Sequence, residues 1–313
     1  MKETPQNPYV VIVGPTATGK STLGLLVAAA MNGEILSCDS LQVYREFNIG
    51  TAKPNELERK SVPHHLIDVA SHSDCFDAAI YARAARKAFD DIVARGKVPV
   101  LVGGTGLYLR SFWGDHFDFD LPKNESLRAD LANRSSGDLH ALLKELDPRR
   151  AAVLHPNDKF RLIRAVEISS ITKRPSSPAA PSPTPWRRHA YVVYLNPDKN
   201  KLRERIRRRV ATMLRDDLVG EVKSLLSDGC PETAKPMQSI GYRQVLEFLR
   251  GGMTSKQLEE QIYIATCQYA KRQRTWFKKV GVNLELNVFG DEAEFAPVIE
   301  TLNHRKIPNE YSN

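Results

Sequence analysis

Gly14-Pro15-Thr16-Ala17-Thr18-Gly19-Lys20-Ser21 satisfies G-x-x-x-x-G-K-[ST] at every fixed position. That spacing suits a phosphate. The glycines let successive backbone N–H groups turn toward phosphate oxygens, the helix that opens there adds partial positive charge, and Lys20 adds a full one. Ser21 is the hydroxyl expected to hold Mg²⁺, while Thr16 and Thr18 can reach the ligand through side chain or backbone. An enzyme that spends a nucleoside triphosphate also needs an Asp at the end of a neighbouring strand to hold the metal, and Asp39 fits that place. Asp39 equally suits a turn cap. The N-K-x-D run of GTPase base recognition is missing from the sequence. A small-molecule kinase stays open, with the arginine-rich RERIRRR (residues 203–209) as its phosphate lid.

These residues need elements that deliver them to one place. YVVIV (residues 9–13) is a short apolar run of the kind buried in a sheet, and the chain from Gly19 has helical character. EILS (34–37) predicts a second strand that releases Cys38-Asp39-Ser40. VPVLV (98–102), after a helical run over 77–95, predicts a third that leads into Gly103-Gly104-Thr105-Gly106. Strands alternating with helices imply a parallel sheet covered on both faces, with its ligand outside the carboxyl ends of the strands. The phosphate loop, Asp39 and Thr105 all fall at that edge. The expected fold class is therefore α/β: a P-loop NTPase-like parallel sheet flanked by helices, with an inserted all-helical domain and C-terminal helices. Residues 1–115 and 186–313 form the core in this reading, and 116–185 the insertion, which ends in the Pro/Ser-rich linker RPSSPAAPSPTP (174–185). A strand AYVVYL (190–195) resumes the sheet. Long helices follow over about 199–227, 238–249 and 255–279.

Composition narrows the class. The chain is 42% hydrophobic and 26% charged, with no apolar stretch near the ~18 residues of a membrane span. Its N-terminal residues lack the plan of a signal peptide, so a cytoplasmic protein with no membrane partner is expected. Cys38, Cys75, Cys230 and Cys267 stand too far apart for a zinc cluster or a disulfide framework. His64 and His65 are adjacent with no third ligand at useful spacing, which suits a structural or pocket role better than a metal. The net charge is +8, concentrated in residues 199–215 and 271–279. Both basic runs lie beyond the phosphate loop, and the second interleaves Lys and Arg with Trp276 and Phe277, as nucleic-acid surfaces do. An amphipathic helix with its rings turned to the core gives the same composition.

GPTATGKS, SCDSLQVYREFNIGTAKP (37–54), PHHLIDV (63–69), PVLVGGTGLYLRS (99–111), HPNDKFRLIRAVE (155–167), QSIGYRQ (238–244) and AKRQRTWFKK (270–279) occur in this order. The chain resembles the tRNA dimethylallyltransferases over roughly residues 9–279. The resemblance implies transfer of the dimethylallyl group of dimethylallyl diphosphate to N6 of the adenine 3′-adjacent to the anticodon of tRNA, with Mg²⁺ as cofactor. Asp39 matches the family's general base and Thr105 its threonine near the target amine. Gly14, Thr16, Ala17, Thr18, Gly19, Lys20, Ser21 and Arg209 match the diphosphate site. Asp39, Ser40, Leu41 and Gln42 match tRNA-contacting segments. So do Phe160, Arg161, Leu162, Ile163 and Arg164, then Gln238, Ser239, Ile240, Gly241, Tyr242 and Arg243. The last such segment is Lys271, Arg272, Gln273, Arg274, Thr275, Trp276, Phe277 and Lys278. The expected partners are dimethylallyl diphosphate and the anticodon stem-loop of tRNA, bound by a monomer. Nucleotide binding at the same loop, including ATP, stays open. The rivals are a P-loop small-molecule kinase, which has no use for so large a basic surface, and an isopentenyltransferase acting on free adenine nucleotides. A non-enzymatic RNA-binding protein would not need Lys20, Asp39 and Thr105 at one edge. The linker is longer and richer in Pro and Ser than is usual in the family.

Overall fold

Apolar side chains alternate between the two faces of a strand, so a strand apolar at every position must be covered on both sides. Tyr9–Val13 (β1) meets that condition, being buried throughout. A computed structural model describes residues 8–114, 124–176, 185–289 and 292–304. From β1 the chain passes through the phosphate loop into Lys20–Ala30 (α1), then Gly33–Cys38 (β2), Glu56–Ser61 (α2) and His64–His65 (β3). Ala78–Ala94 (α3), Val98–Gly103 (β4) and Gly106–Trp113 (α4) follow.

The chain then divides into two compact units, with Gly114–Pro183 as the second. Its helices are Glu125–Ala132 (α5), Ser136–Leu146 (α6), Pro148–Val153 (α7) and Lys159–Thr172 (α8). Leu131, Leu139, Leu143, Leu154 and Leu162 build its own core. The fully buried Glu167 carboxylate accepts from Arg128 at 2.9 Å, from Arg164 and from the Asn124 amide. A buried charge so placed is compensated on every side. Most of the predicted Pro/Ser-rich linker, 177–184, lies outside the described residues.

The first unit resumes with Pro185–Arg188 (α9), Ala190–Leu195 (β5), Lys199–Arg215 (α10), Leu218–Ser227 (α11), Tyr242–Leu249 (α12), Ser255–Phe277 (α13), Leu284–Leu286 (β6) and Glu292–His304 (α14). All described strand pairings are parallel, in the order β3-β2-β4-β1-β5-β6. One face of the sheet packs Val10, Ile12, Val100, Val102, Val193 and Leu195 against Leu23 and Val27 of α1 and Phe295 and Val298 of α14. On the other, Tyr9 meets Phe89 of α3 and Phe112 of α4 edge-on. The parallel α/β sheet with flanking helices is the fold class expected from the sequence.

Three features differ from expectation. The helix expected over 199–227 breaks after Arg215, where Asp217 takes φ 69° and its side chain caps α11 by accepting from the Gly220 amide at 2.9 Å. Asp is one of the few residues that tolerates this left-handed conformation. β3 and β6, of two and three residues, are too short for any periodicity to announce. His65 of β3 is structural: it and Arg95 both donate to the buried Glu34 carboxylate, each at 2.6 Å.

Candidate active site

Sheet register puts the chemical groups level with one another. Val13 pairs with Gly103 and Gly103 with Cys38, so Gly14, Gly104 and Asp39 leave three neighbouring strands at the same height. Gly14 takes φ 156°, and a Cβ there would lie 2.6 Å from the Leu195 carbonyl oxygen, closer than a side chain can approach. Ala17 at φ 63° and Gly19 at φ 89° complete the turn into α1. Thr18 donates to the Pro15 carbonyl at 2.9 Å, and Lys20 Nζ folds back to the same oxygen at 2.6 Å.

Above this edge lies a cavity of about 590 Å³, and all of its lining residues come from the first unit. The loop residues from Thr16 to Ser21 form one wall. Arg205, Arg208 and Arg209 of α10 face the cavity with Lys20, against the single carboxylate of Asp39 among its lining residues. Ile35, Ile67 and Val102 supply an apolar part. Burial, then the neighbouring Arg209, bring the Lys20 ammonium down to about 7, with Asp39 opposing them. Burial likewise lowers Arg209, again against the pull of Asp39. Cations crowded in this way with one carboxylate between them favour an incoming polyanion.

Asp39 Oδ1 accepts from the Leu41 amide at 2.9 Å and the Gln42 amide at 3.4 Å, so the carboxylate does cap a turn while it lines the cavity. Thr105 stitches β2 to β4. Its hydroxyl accepts from the Ser40 amide at 3.1 Å, and its own amide donates to Cys38. Tyr269 of α13 lines the cavity and meets the Thr105 side chain.

The predicted RNA-contacting segments are placed unevenly. Lys271, Arg272 and Thr275 are exposed on α13 and Lys278 just past its end, whereas Gln273 and Phe277 are buried, Phe277 beside Tyr194. Gln238 and Arg243 are exposed, but Gly241 and Tyr242 are buried, with the Tyr242 hydroxyl on Glu221 and its ring 4.9 Å from Phe47. Glu221 in turn accepts from the Ile49 amide at 2.6 Å, so this pair braces the loop after β2. In the second unit Phe160 is 85% exposed at the start of α8, Arg161 is exposed, and Leu162 is core. The sequence did not single out Tyr269, Thr51 or Thr212 as cavity residues, and it offered Arg205 and Arg208 only within the run 203–209 of the kinase alternative. Tyr269 was discoverable, because Tyr269, Gln273 and Trp276 are spaced along one face of a helix.

A parallel sheet with a G-x-x-x-x-G-K-[ST] loop at its carboxyl edge, facing a cation-lined cavity that holds one carboxylate, defines a P-loop α/β protein built to bind a phosphate ester. The IPP transferase family model matches residues 42–280. A tRNA dimethylallyltransferase of Exiguobacterium sp. is 41% identical over 283 residues, 89% of this chain and 88% of that protein. One from Solibacter usitatus is 42% identical over 295 residues, covering 92% and 95%. The chain belongs to the IPP transferase family. Among solved structures, the tRNA isopentenylpyrophosphate transferase of Bacillus halodurans superposes with a TM-score of 0.72 at 34% identity over 98% of both chains. A eukaryotic dimethylallyltransferase acting on tRNA gives 0.80 at 26% identity, covering 96% of this chain and 79% of that one. The family match begins after Asp39, so the phosphate loop is argued from its own sequence and geometry.

Proposed function

We propose that this protein transfers the dimethylallyl group of dimethylallyl diphosphate to N6 of the adenine 3′-adjacent to the anticodon of tRNA. The observation that carries the reading is the cavity, where one carboxylate, Asp39, shares the lining with the phosphate loop, four cations and an apolar part. The adenine amine is a weak nucleophile because its lone pair is delocalised into the ring, so a base that takes its proton during attack lowers the barrier. In the proposed step N6 forms a bond to C1 of the allyl group and the C1–O bond breaks. The electron pair leaves on diphosphate, and the amine proton passes to Asp39. Loop amides, Lys20 and Arg209 face the leaving oxygens, where charge develops. Ile35, Ile67 and Val102 pack the five-carbon chain, and Thr105 steadies Asp39's turn through Ser40.

The donor set suits Mg²⁺. Ser21 offers one hard oxygen, and the described residues contain no group of three or more His, Cys, Asp or Glu placed to hold a metal. An ion that arrives with diphosphate and keeps several waters fits such a site, as Mg²⁺ does. When bound it adds positive charge at the leaving group.

The anticodon loop would lie across exposed cations of the α13 segment and Arg243, which neutralise an RNA backbone. The target base must leave its stack to enter the cavity, which costs less in a single-stranded loop than in a duplex. No helix among the described residues is long and apolar enough to cross a membrane, and because all of the cavity's lining residues come from one unit of one chain, the reading is of a monomer acting in the cytoplasm. Purified protein given labelled dimethylallyl diphosphate, Mg²⁺ and unmodified tRNA should label the tRNA without ATP. Phosphoryl transfer from ATP in its place would establish the kinase alternative.

A further inference from the structure

Gln273 stands in a basic run, yet it is only 5% exposed. Its Oε1 accepts from the Thr16 amide at 2.9 Å and its Nε2 donates to the Gly104 carbonyl at 2.9 Å. One side chain of α13 thus joins the phosphate loop after β1 to the glycine turn after β4. The two bonds fix the orientation of the amide, since only its oxygen can accept from an N–H and only its nitrogen can donate to a carbonyl. The approach is close: a Cβ on Gly104 would lie 2.3 Å from Nε2.

The rest of that helix face agrees. Tyr269, one turn earlier, meets Thr105, and the Trp276 ring lies 2.4 Å from where a Cβ on Gly106 would be. Lys271, Arg272 and Thr275 of the same helix are exposed. α13 therefore touches both loops of the site with one face and offers cations with the other.

We infer that Gln273 is a positioning residue for diphosphate: it holds the Thr16 end of the loop so that the remaining loop amides converge on the ligand. The loop needs such support, because Ala17 sits in a left-handed conformation that is unfavourable for a non-glycine residue and persists only where the surroundings hold it. Glutamine is the fitting side chain, since glutamate keeps the bond to Thr16 but sets a carboxylate against the Gly104 carbonyl and near the ligand's own charge. Methionine keeps the length and loses both bonds.

This inference rests on the diphosphate site of the proposed function and is tested apart from group transfer. Binding of inorganic diphosphate with Mg²⁺ to the full chain is measured by calorimetry for wild type, Gln273→Met and Gln273→Glu. KM for dimethylallyl diphosphate and kcat are measured alongside. The expected result is a loss of diphosphate affinity of about tenfold for Gln273→Met and more for Gln273→Glu, a matching rise in KM, and tRNA affinity within about twofold of wild type. A purely architectural role would lower the melting temperature and leave diphosphate affinity of the folded protein unchanged, and that result in either soluble variant overturns the inference. Wild type that binds diphosphate but transfers nothing to tRNA would instead defeat the proposed function and leave the role of Gln273 intact.

Discussion

Asp39 does two jobs in this account, and substitution can separate them. Asn keeps an oxygen in the place of Oδ1, so the bonds from the Leu41 and Gln42 amides, at 2.9 and 3.4 Å, survive. It cannot take up a proton at working pH. Ala removes both functions. General-base catalysis contributes ~10²–10⁴ in rate, which at about 1.36 kcal/mol per decade is roughly 3–5 kcal/mol of barrier. Loss of a side-chain cap costs about 1 kcal/mol of stability. Asp39→Asn should therefore lose ~10²–10⁴ in single-turnover transfer, with enzyme in excess over tRNA, while its melting temperature stays near wild type. Asp39→Ala should lose a similar factor in rate and also about 2–4 °C, as expected for ~1 kcal/mol in a domain of this size. Neither should weaken binding of inorganic diphosphate, because the substitution removes a negative charge from a site that receives a polyanion. Asp39→Asn within about threefold of the wild-type rate would show that the proton goes elsewhere, since a general base contributes ~10² or more. Loss of diphosphate binding in Asp39→Ala alone would assign that effect to the turn, and loss in both variants, since Asn keeps the turn, would mean that the carboxylate itself serves the diphosphate site.

Two further predictions concern surface and core. Replacing Lys271 and Arg272 by Gln should weaken all tRNAs alike and reduce the slope of log affinity against log salt by about 0.7–0.9 for each phosphate no longer neutralised; an unchanged slope would remove this helix from the tRNA backbone. Burial opposes ionisation of Glu34, but hydrogen bonds from Arg95 and His65 outweigh it and hold the carboxyl below its ordinary range. Its contribution is therefore complete above the unfolded carboxyl value and is lost as pH falls through the folded one. Glu34→Gln should cost ~1–3 kcal/mol in urea unfolding at neutral pH, with the difference from wild type shrinking in acid; a constant difference across pH would exclude the charge as its source.

What could be read from the sequence follows from how local each cause is. The phosphate loop was legible because its glycines and lysine answer to backbone geometry within eight residues, and β1, β4 and β5 because a doubly covered strand is mostly apolar, while β2 showed through its shorter Ile35-Leu36 run despite Glu34 and Ser37. The break at Asp217 was not, since nothing in Asp216-Asp217 forbids a continuing helix until the side chain finds the Gly220 amide. β3 and β6 owe their existence to the edges they pair with. Gln273 lay inside a segment rich in cations, where composition left an RNA-facing surface and an amphipathic helix both open and singled out no inward polar side chain. Only the helical spacing from Leu258 and Ile262 through Ala270 and Gln273 to Phe277, all buried, shows that one face of α13 turns inward.

The most direct test of the account is transfer to a defined atom. Anticodon stem-loops carrying adenine, or a purine without the exocyclic amine, next to the anticodon are incubated with the protein, Mg²⁺ and labelled dimethylallyl diphosphate. Label is expected on the adenine substrate alone, with one diphosphate released for each group transferred and no requirement for ATP. Equal labelling of the purine that lacks the amine, or diphosphate release without RNA labelling, would contradict it.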